Sequence, residues 1–311
     1  MNNEKLQRLV KISQLHYYQH LSQSQIADEL HLSRPTVANA LKTALKEGII
    51  QIKINDPLAD AQTLSEQLAD KFNLRKVILC QPGQTEDLLE NLGQAGAQYL
   101  QSIISDQQVV GLSWGETMTA VAQHLEPAHR QNLQFVSLKG IVSNSAQTNF
   151  AGQIAAAFNQ AYQLQTQLWP VPVIFQKAAT LKAVMQDGFI ARLSQISSQA
   201  EIVMYTVGTV RRQAMMFNLD YFNEQEIAEL QSKAVGDVNA HFIKADGSLA
   251  DEELDQRTAA VSLANLKRAP YSILIAGGQE KFLPIKAALT AGYPNVLITD
   301  TETAKALLEN K

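Results

Sequence analysis

The chain has 311 residues, 46% of them apolar and 18% charged, a balance that fits an ordinary globular protein of about two domains and excludes a disordered or fibrous one. Its single cysteine, Cys80, excludes an internal disulfide and a multi-cysteine zinc site. With no apolar run near the ~18 residues of a membrane span and no apolar signal stretch after Met1, the expectation is a cytoplasmic protein without membrane contact. The net charge of −4 divides unevenly: residues 1–55 hold seven Lys/Arg against four Asp/Glu, so a small basic head precedes an acidic body, as expected where one end meets a polyanion.

In chain order, Leu6, Leu9, Val10, Ser13 and Tyr17 recur at helical spacing and predict an opening amphipathic helix that ends near His20 to Ser22. Ser22 or Ser24 caps a short second helix with Ile26, Ala27 and Leu30 on one face, and His31-Leu32-Ser33 makes a turn. A third helix starts at Arg34, with Ser33 as N-cap, Pro35 in its first turn, Val37, Leu41 and Leu45 as the buried stripe, and Gly48 closing it. Ile50, Ile52 and Ile54 then alternate as in a short strand. The run SQIADELHLSRPTVANALKTALKEG has helix-turn-helix spacing: Ala27 lets two helices cross closely, Leu32 plugs the turn and Val37 anchors the second helix. His31 stands where glycine is usual and demands a strained turn.

This spacing puts Arg34, Thr36, Asn39 and Lys42 on the outward face and N-terminal end of the recognition helix, as candidate contacts to operator DNA. Thr36 and Asn39 suit base edges, Asn in particular adenine, whereas Arg34 and Lys42 suit bases or phosphates. Ser24 and Gln25 suit phosphate through backbone amides. Each is equally readable as a plain solvated side chain.

Asp56-Pro57 breaks the pattern, giving a head over 1–55 and a body over 56–311 that opens with a linker helix over 56–73. Beyond it, apolar runs at Val77–Cys80, Val109–Leu112, Phe135–Leu138, Ile202–Val207, Ser272–Ala276 and Val296–Ile298 alternate with helical patterns. Those lie at Asp87–Ile104, Thr117–Leu125, Asn149–Tyr162, Glu224–Ala234, Leu254–Leu266 and Lys281–Ala291. This order predicts an α/β fold, a doubly wound, mostly parallel sheet covered by helices on both faces.

In such a sheet ligands bind at the carboxyl ends of the strands. There Ser113-Trp114-Gly115-Glu116-Thr117 is a glycine turn into a helix, suited to a phosphate except for Glu116, which must point away. Gly277-Gly278 before Lys281 is a second such turn. Its cation opposes the helix dipole and is explained either by a bound anion or by simple solvation. Neither turn is a GxGxxG fingerprint or a GxxxxGK[ST] loop, so nicotinamide and ATP are unsupported and no cofactor is expected. Lys139 ends an apolar run just before Gly140. A desolvated amine there attacks an aldehyde to give a Schiff base, and a strand-end lysine snorkelling to water is the plainer alternative. Ser143, with its neighbours Asn144 and Ser145, offers polar groups for a sugar. Gly208 and Thr209 stand at a strand end, and Asp237 suits a sugar hydroxyl or a salt bridge.

Taken together, the helix-turn-helix run with LKGIVSNS, TVGTVRRQAMMFNLDYFNEQE, AVGD, KADG, AGGQEK and NVLITD resembles the SorC family of bacterial sugar-responsive transcription regulators over essentially the whole chain. Within it the chain looks like the repressors of deoxyribonucleoside operons. The resemblance implies a helix-turn-helix head and a sugar-phosphate-binding body related in fold to glucosamine-phosphate and ribose-phosphate isomerases. It also implies a homo-oligomer, dimer or tetramer, acting on DNA rather than as an enzyme. The SWGET turn matches the family's phosphate loop, Lys139 its effector-contacting basic position, Asp237 an acidic sugar-contacting position, and Lys281 the glycine-turn lysine. In similar members a lysine meets the open-chain aldehyde of deoxyribose 5-phosphate, the expected effector. Ala38-Asn39 departs from a frequent serine-arginine, and Glu116 from a small or hydroxylic residue. The alternatives are an isomerase or Schiff-base aldolase carrying a DNA-binding head, and a regulator responding to another sugar phosphate.

Overall fold

Two serine caps set the geometry of the head. In the computed structural model, which describes residues 3–51, 57–81, 83–141, 150–219 and 221–309, the chain divides into compact units Met1–Pro57 and Leu58–Lys311. The first holds α1 (Asn3–Tyr17), α2 (Gln23–Glu29) and α3 (Arg34–Lys46). Ser22 Oγ accepts the Gln25 amide at 3.3 Å while Gln25 Oε1 accepts the Ser22 amide at 3.0 Å, a capping box that starts α2. Ser33 Oγ accepts the Thr36 amide at 3.3 Å and, with Pro35 in the first turn, starts α3.

Ile12, Leu15, Ile26, Ala27, Val37 and Leu41 form the head's core, with Leu30, Leu32 and Ile50 packed against it. Three expectations need correction. The first helix stops at Tyr17 rather than near His20, while of the two serines expected to cap the second helix it is Ser22 that does so. On α3 the buried stripe continues through Ala44, leaving Leu45 41% exposed. Residues 47–51 form turns rather than a strand, and Ile52 and Ile54 lie outside the described residues.

His31 takes φ +52°, the left-handed conformation that the helix-turn-helix needs and that L-residues adopt at a cost. His31→Gly should therefore stabilise the head by roughly 0.5–1 kcal/mol. Slower amide hydrogen exchange in α2 and α3 would register the gain; faster exchange would mean that the imidazole makes a contact worth more than the strain.

The second unit runs α4 (Pro57–Phe72), β1 (Lys76–Cys80), α5 (Thr85–Ile103), β2 (Val109–Leu112), α6 (Glu116–Gln123), β3 (Gln134–Ile141), α7 (Phe150–Tyr162), β4 (Gln167–Pro172), α8 (Ala178–Val184) and α9 (Gly188–Ser198). It continues with β5 (Ile202–Tyr205), β6 (Val207–Thr209), α10 (Glu224–Lys233), β7 (Gly236–Val238), β8 (His241–Ile243), α11 (Glu252–Gln256) and α12 (Leu263–Arg268). It ends with β9 (Tyr271–Ile275), α13 (Phe282–Thr290), β10 (Val296–Asp300) and α14 (Thr301–Glu309).

Seven strands form one parallel sheet in the order β1-β10-β9-β5-β2-β3-β4, and β6-β7-β8 form a small antiparallel one. Alternate residues of the inner strands enter different cores: Ile273, Ile275 and Ile298 join Trp114, Phe135 and Phe158, whereas Leu274 and Leu297 join Trp169 and Tyr205. That period of two, apolar on both sides, is what a sheet covered by helices on both faces requires.

Some elements differ from the sequence expectation. The run Ile202–Val207 breaks at Thr206, so β5 stays in the main sheet and β6 begins the small one. The helix expected over Leu254–Leu266 is two helices separated by an extended segment, in which the Gly140 amide donates to Ala259 O at 2.8 Å and the Val261 amide to Leu138 O at 2.8 Å. β4 carries Pro170 and Pro172, which argue against a strand, but it lies at the sheet edge, where a missing amide is tolerated. Among the described residues, no helix is long and apolar enough to cross a membrane.

Candidate functional site

From β2 the chain proceeds outward to β3 and β4, and from β5 it proceeds the other way to β9 and β10, although β2 and β5 are neighbours. Such a switch point leaves a crevice at the carboxyl ends of the strands. Here it is a cavity of about 440 Å³, walled by Trp114 to Thr117 after β2, Lys139 on β3, Thr206 to Thr209 after β5, Asp237 on β7 and Lys281 after β9.

Lys139 is only 5% exposed. Its Nζ lies 3.8 Å from the centre of the Trp114 ring, and the Trp114 indole N–H donates to Gly140 O at 2.8 Å. One strand therefore carries the amine and holds the aromatic plane that covers it. Burial brings the Lys139 amine down to about 8, against the opposing pull of the Asp237 carboxylate. Asp237, also 5% exposed, is held by the Ala240 amide on its Oδ2 at 3.0 Å. Asn239 and Ala240 both have positive φ, as the tight two-residue turn between β7 and β8 requires. Gly208 faces Asp237 across the small sheet, and a Cβ there would come within 1.9 Å of Oδ1, so only glycine leaves the carboxylate its place. Burial raises the Asp237 carboxyl, while the Lys139 charge, the Ala240 amide, Lys281 and His241 oppose that rise. Lys281 is lowered by burial, with Glu116, Asp237 and Glu280 acting the other way.

The cavity thus brings together a buried amine, a buried carboxylate and a second cation. The winged helix-turn-helix DNA-binding family matches residues 12–51, and the sugar-binding domain family Sugar-bind matches residues 56–309. The chain is 37% identical over 312 residues to the deoxyribonucleoside regulator of Bacillus subtilis (strain 168), covering all of both chains. The chain belongs to the SorC family. It is 27% identical over 314 residues to the sorbitol operon regulator of Klebsiella pneumoniae, covering 99% of each. It superposes on the crystal structure of the full-length sorbitol operon regulator SorC from Klebsiella pneumoniae with a TM-score of 0.75 at 26% identity, covering 98% of this chain and 100% of that one. These relatives are transcriptional regulators rather than enzymes. This SorC-family chain is likewise a DNA-binding transcriptional regulator with a sugar-binding domain.

Of the effector residues singled out in the sequence, Trp114, Gly115, Thr117, Lys139, Thr209, Asp237 and Lys281 line this one cavity. Ser113 does not. Its side chain, 2% exposed, lines a separate space of about 10 Å³ with Ser137 and Thr166, and among the described residues its hydroxyl has no hydrogen-bond partner. Gly278 lines a neighbouring cavity of about 1090 Å³ together with Thr209. Its φ of +86° and its amide bonds to Asp300 Oδ2 at 2.8 Å and Thr303 Oγ1 at 2.9 Å fix the glycine turn to the start of α14. Ser143 lies outside the described residues. Lys281 ends a short 3-10 turn and precedes α13 rather than sitting in its first turn. Gly115, at φ +140°, occupies the N-cap of α6, and among the described residues no side chain caps that helix. Its first-turn amides are the kind of group that receives an anion. The sequence reading missed Thr206, Arg211 and Glu280, which also line the cavity, and Asp300, which anchors the turn.

In the SorC-family head, Ser24, Gln25, Arg34, Asn39 and Lys42 are exposed, and Thr36 and Ala38 are half-buried. The Thr36 hydroxyl lies 2.7 Å from Ser33 Oγ, so it helps start its own helix, and the Gln25 amide is spent on Ser22. Arg34, Asn39 and Lys42 therefore keep their functional groups free of capping duty, while Thr36 and Gln25 divide theirs.

Because the Asp237 charge holds the Lys139 amine up, Asp237→Asn should move its midpoint below about 8. The pH dependence of reductive methylation at Lys139 measures this. An upward or absent shift would mean that the carboxylate does not act on the amine.

Proposed function

We propose that this regulator represses an operon of deoxyribonucleoside catabolism and leaves its operator when deoxyribose 5-phosphate binds through a Schiff base on Lys139. Residues 1–55 grip the operator in this reading, and residues 56–311 hold the effector and the contacts between copies in a homodimer or homotetramer. The observation that carries it is the buried Lys139 amine, at about 8, over Trp114 and beside Asp237. At pH 7 an amine of that strength is neutral in about a tenth of molecules, against roughly 0.03% at 10.5. Only the neutral form is nucleophilic. Its Nζ adds to the aldehyde carbon, the carbonyl oxygen leaves as water, and an imine links sugar and protein. The 37% identity to the deoxyribonucleoside regulator of Bacillus subtilis supports this effector over other sugar phosphates.

Regulation follows if effector affinity differs between the DNA-competent and DNA-incompetent states, since a ligand binding both equally shifts nothing. On the DNA side, Asn39 addresses a base and Arg34 and Lys42 complete the contact surface, with Ser24, Gln25 and Thr36 at the helix starts.

Borohydride added with deoxyribose 5-phosphate should leave a covalent mass on the wild-type chain and none on Lys139→Ala, with the trapping rate rising up to pH of about 8 and levelling above it. Operator binding should survive in Lys139→Ala; its loss, or trapping that persists in the variant, would remove the lysine from this role. Asn39→Ala should relax preference at one operator position at a cost of roughly 1–3 kcal/mol, while Lys42→Ala should weaken all sequences alike and flatten the salt slope. Equal losses on every sequence for both variants, measured by fluorescence anisotropy, would contradict the division.

A further inference from the structure

Among the described residues, the charged groups lining the 440 Å³ cavity are Lys139, Lys281 and Arg211 against Asp237, Glu116 and Glu280. The cavity is thus already electrically balanced, and a dianionic ligand fits only if a resident carboxylate gives up its cation. Asp237 is not available for that, because it is buried and held by the Ala240 amide. Glu116 and Glu280 are exposed. Glu280 forms an ion pair with Arg211, and the two side chains are 70% and 52% exposed respectively. An ion pair that open to solvent contributes little to stability, so breaking it is cheap. A guanidinium also binds a phosphate through two parallel hydrogen bonds and gains charge from doing so.

We infer that Arg211 is a phosphate ligand of the effector, held until binding by Glu280, which occupies the phosphate's place. This rests on the reading of the cavity as a sugar-phosphate site and adds its polarity. The sugar's carbonyl end lies at Lys139 and Asp237, where the carboxylate is fixed. Its phosphate lies at Lys281 and Arg211, where the carboxylates are free to turn to water. Glu116, whose charge acts on Lys281, yields in the same way. Arg211 belongs to the segment after β6 and Glu280 to the turn after β9, so exchanging the ion pair for a shared phosphate replaces one link between those segments with another. The same ion pair stands between the two cavities, since Arg211 and Glu280 line both.

Isothermal titration of wild type, Glu280→Gln and Arg211→Met with deoxyribose 5-phosphate and with unphosphorylated deoxyribose tests this. Both substitutions are at exposed positions, and a thermal melt verifies that each variant folds as the wild type does. Glu280→Gln should bind the phosphorylated sugar about fivefold more tightly, because the competitor is gone. Arg211→Met should bind it roughly tenfold or more weakly. Affinity for deoxyribose should not move in either. If the wild type binds the sugar phosphate and both variants bind it equally well, the role of Arg211 is overturned and the reading of the cavity stands. If Arg211→Met weakens deoxyribose as much as its phosphate, Arg211 holds the sugar rather than the phosphate and the inference fails. If no form of the protein binds either compound, the inference falls together with the reading on which it rests.

Discussion

The burial of one amine organises the site. Lys139 leaves water near the carboxyl end of β3, the strand next to the sheet edge, and is compensated only in part, by the face of Trp114 and by the charge of Asp237. Each of those partners depends on local backbone features. Trp114 is held because its indole N–H reaches Gly140 O on the lysine's own strand, and a Cβ at Gly140 would come within 2.5 Å of Val171 O on β4. Asp237 is held because Gly208 leaves it space and the Asn239-Ala240 turn offers it an amide. An ammonium so placed is destabilised relative to water, which is why it approaches neutrality close to physiological pH.

The extended segment between α11 and α12 adds a further constraint. It runs beside β3, where Lys139 pairs with Ala260, and it is pinned from the other side by His241. That imidazole lies 2.5 Å from Asp255 Oδ1 and 3.0 Å from Val261 O. These two contacts tie α11 and the extended segment to the small sheet. The lysine is thereby fenced by a carboxylate, an indole and a strand-like segment whose own position depends on the His241 contacts.

Much of this was legible in the sequence. Six apolar runs gave the five inner strands of the sheet and its edge strand β1, because parallel strands covered by helices read as continuous β-rich stretches; Lys139, Trp114 and Lys281 stood out at or just beyond the ends of these runs, and Asp237 stood out apart from them. The helix-turn-helix was equally plain, since Ser33, Pro35 and Val37 each satisfy a local rule. What escaped had non-local causes. β4 was hidden by Pro170 and Pro172, which only an edge strand accepts, and β6, β7 and β8 have three residues each, too few for periodicity. Arg211 carries no signal by itself, because its ion-pair partner Glu280 lies nearly seventy positions away. Ser113 was grouped with Trp114 by adjacency, yet successive side chains of an extended segment diverge, and its hydroxyl enters a different space.

The head follows the opposite logic to the body. Most of its candidate contact residues are exposed, several polar groups spend their bonding capacity on starting helices, and a left-handed residue is accepted to set the angle between α2 and α3. Its candidate contacts are a few side chains at the surface, whereas the body's cavity is built around buried groups such as Lys139 and Asp237, whose charge is set by the fold. The most direct test of the account is a heteronuclear NMR titration of the Lys139 side chain in the full-length protein without ligand. The account predicts a midpoint of about 8; a midpoint at the ordinary lysine value of 10.5 would contradict it.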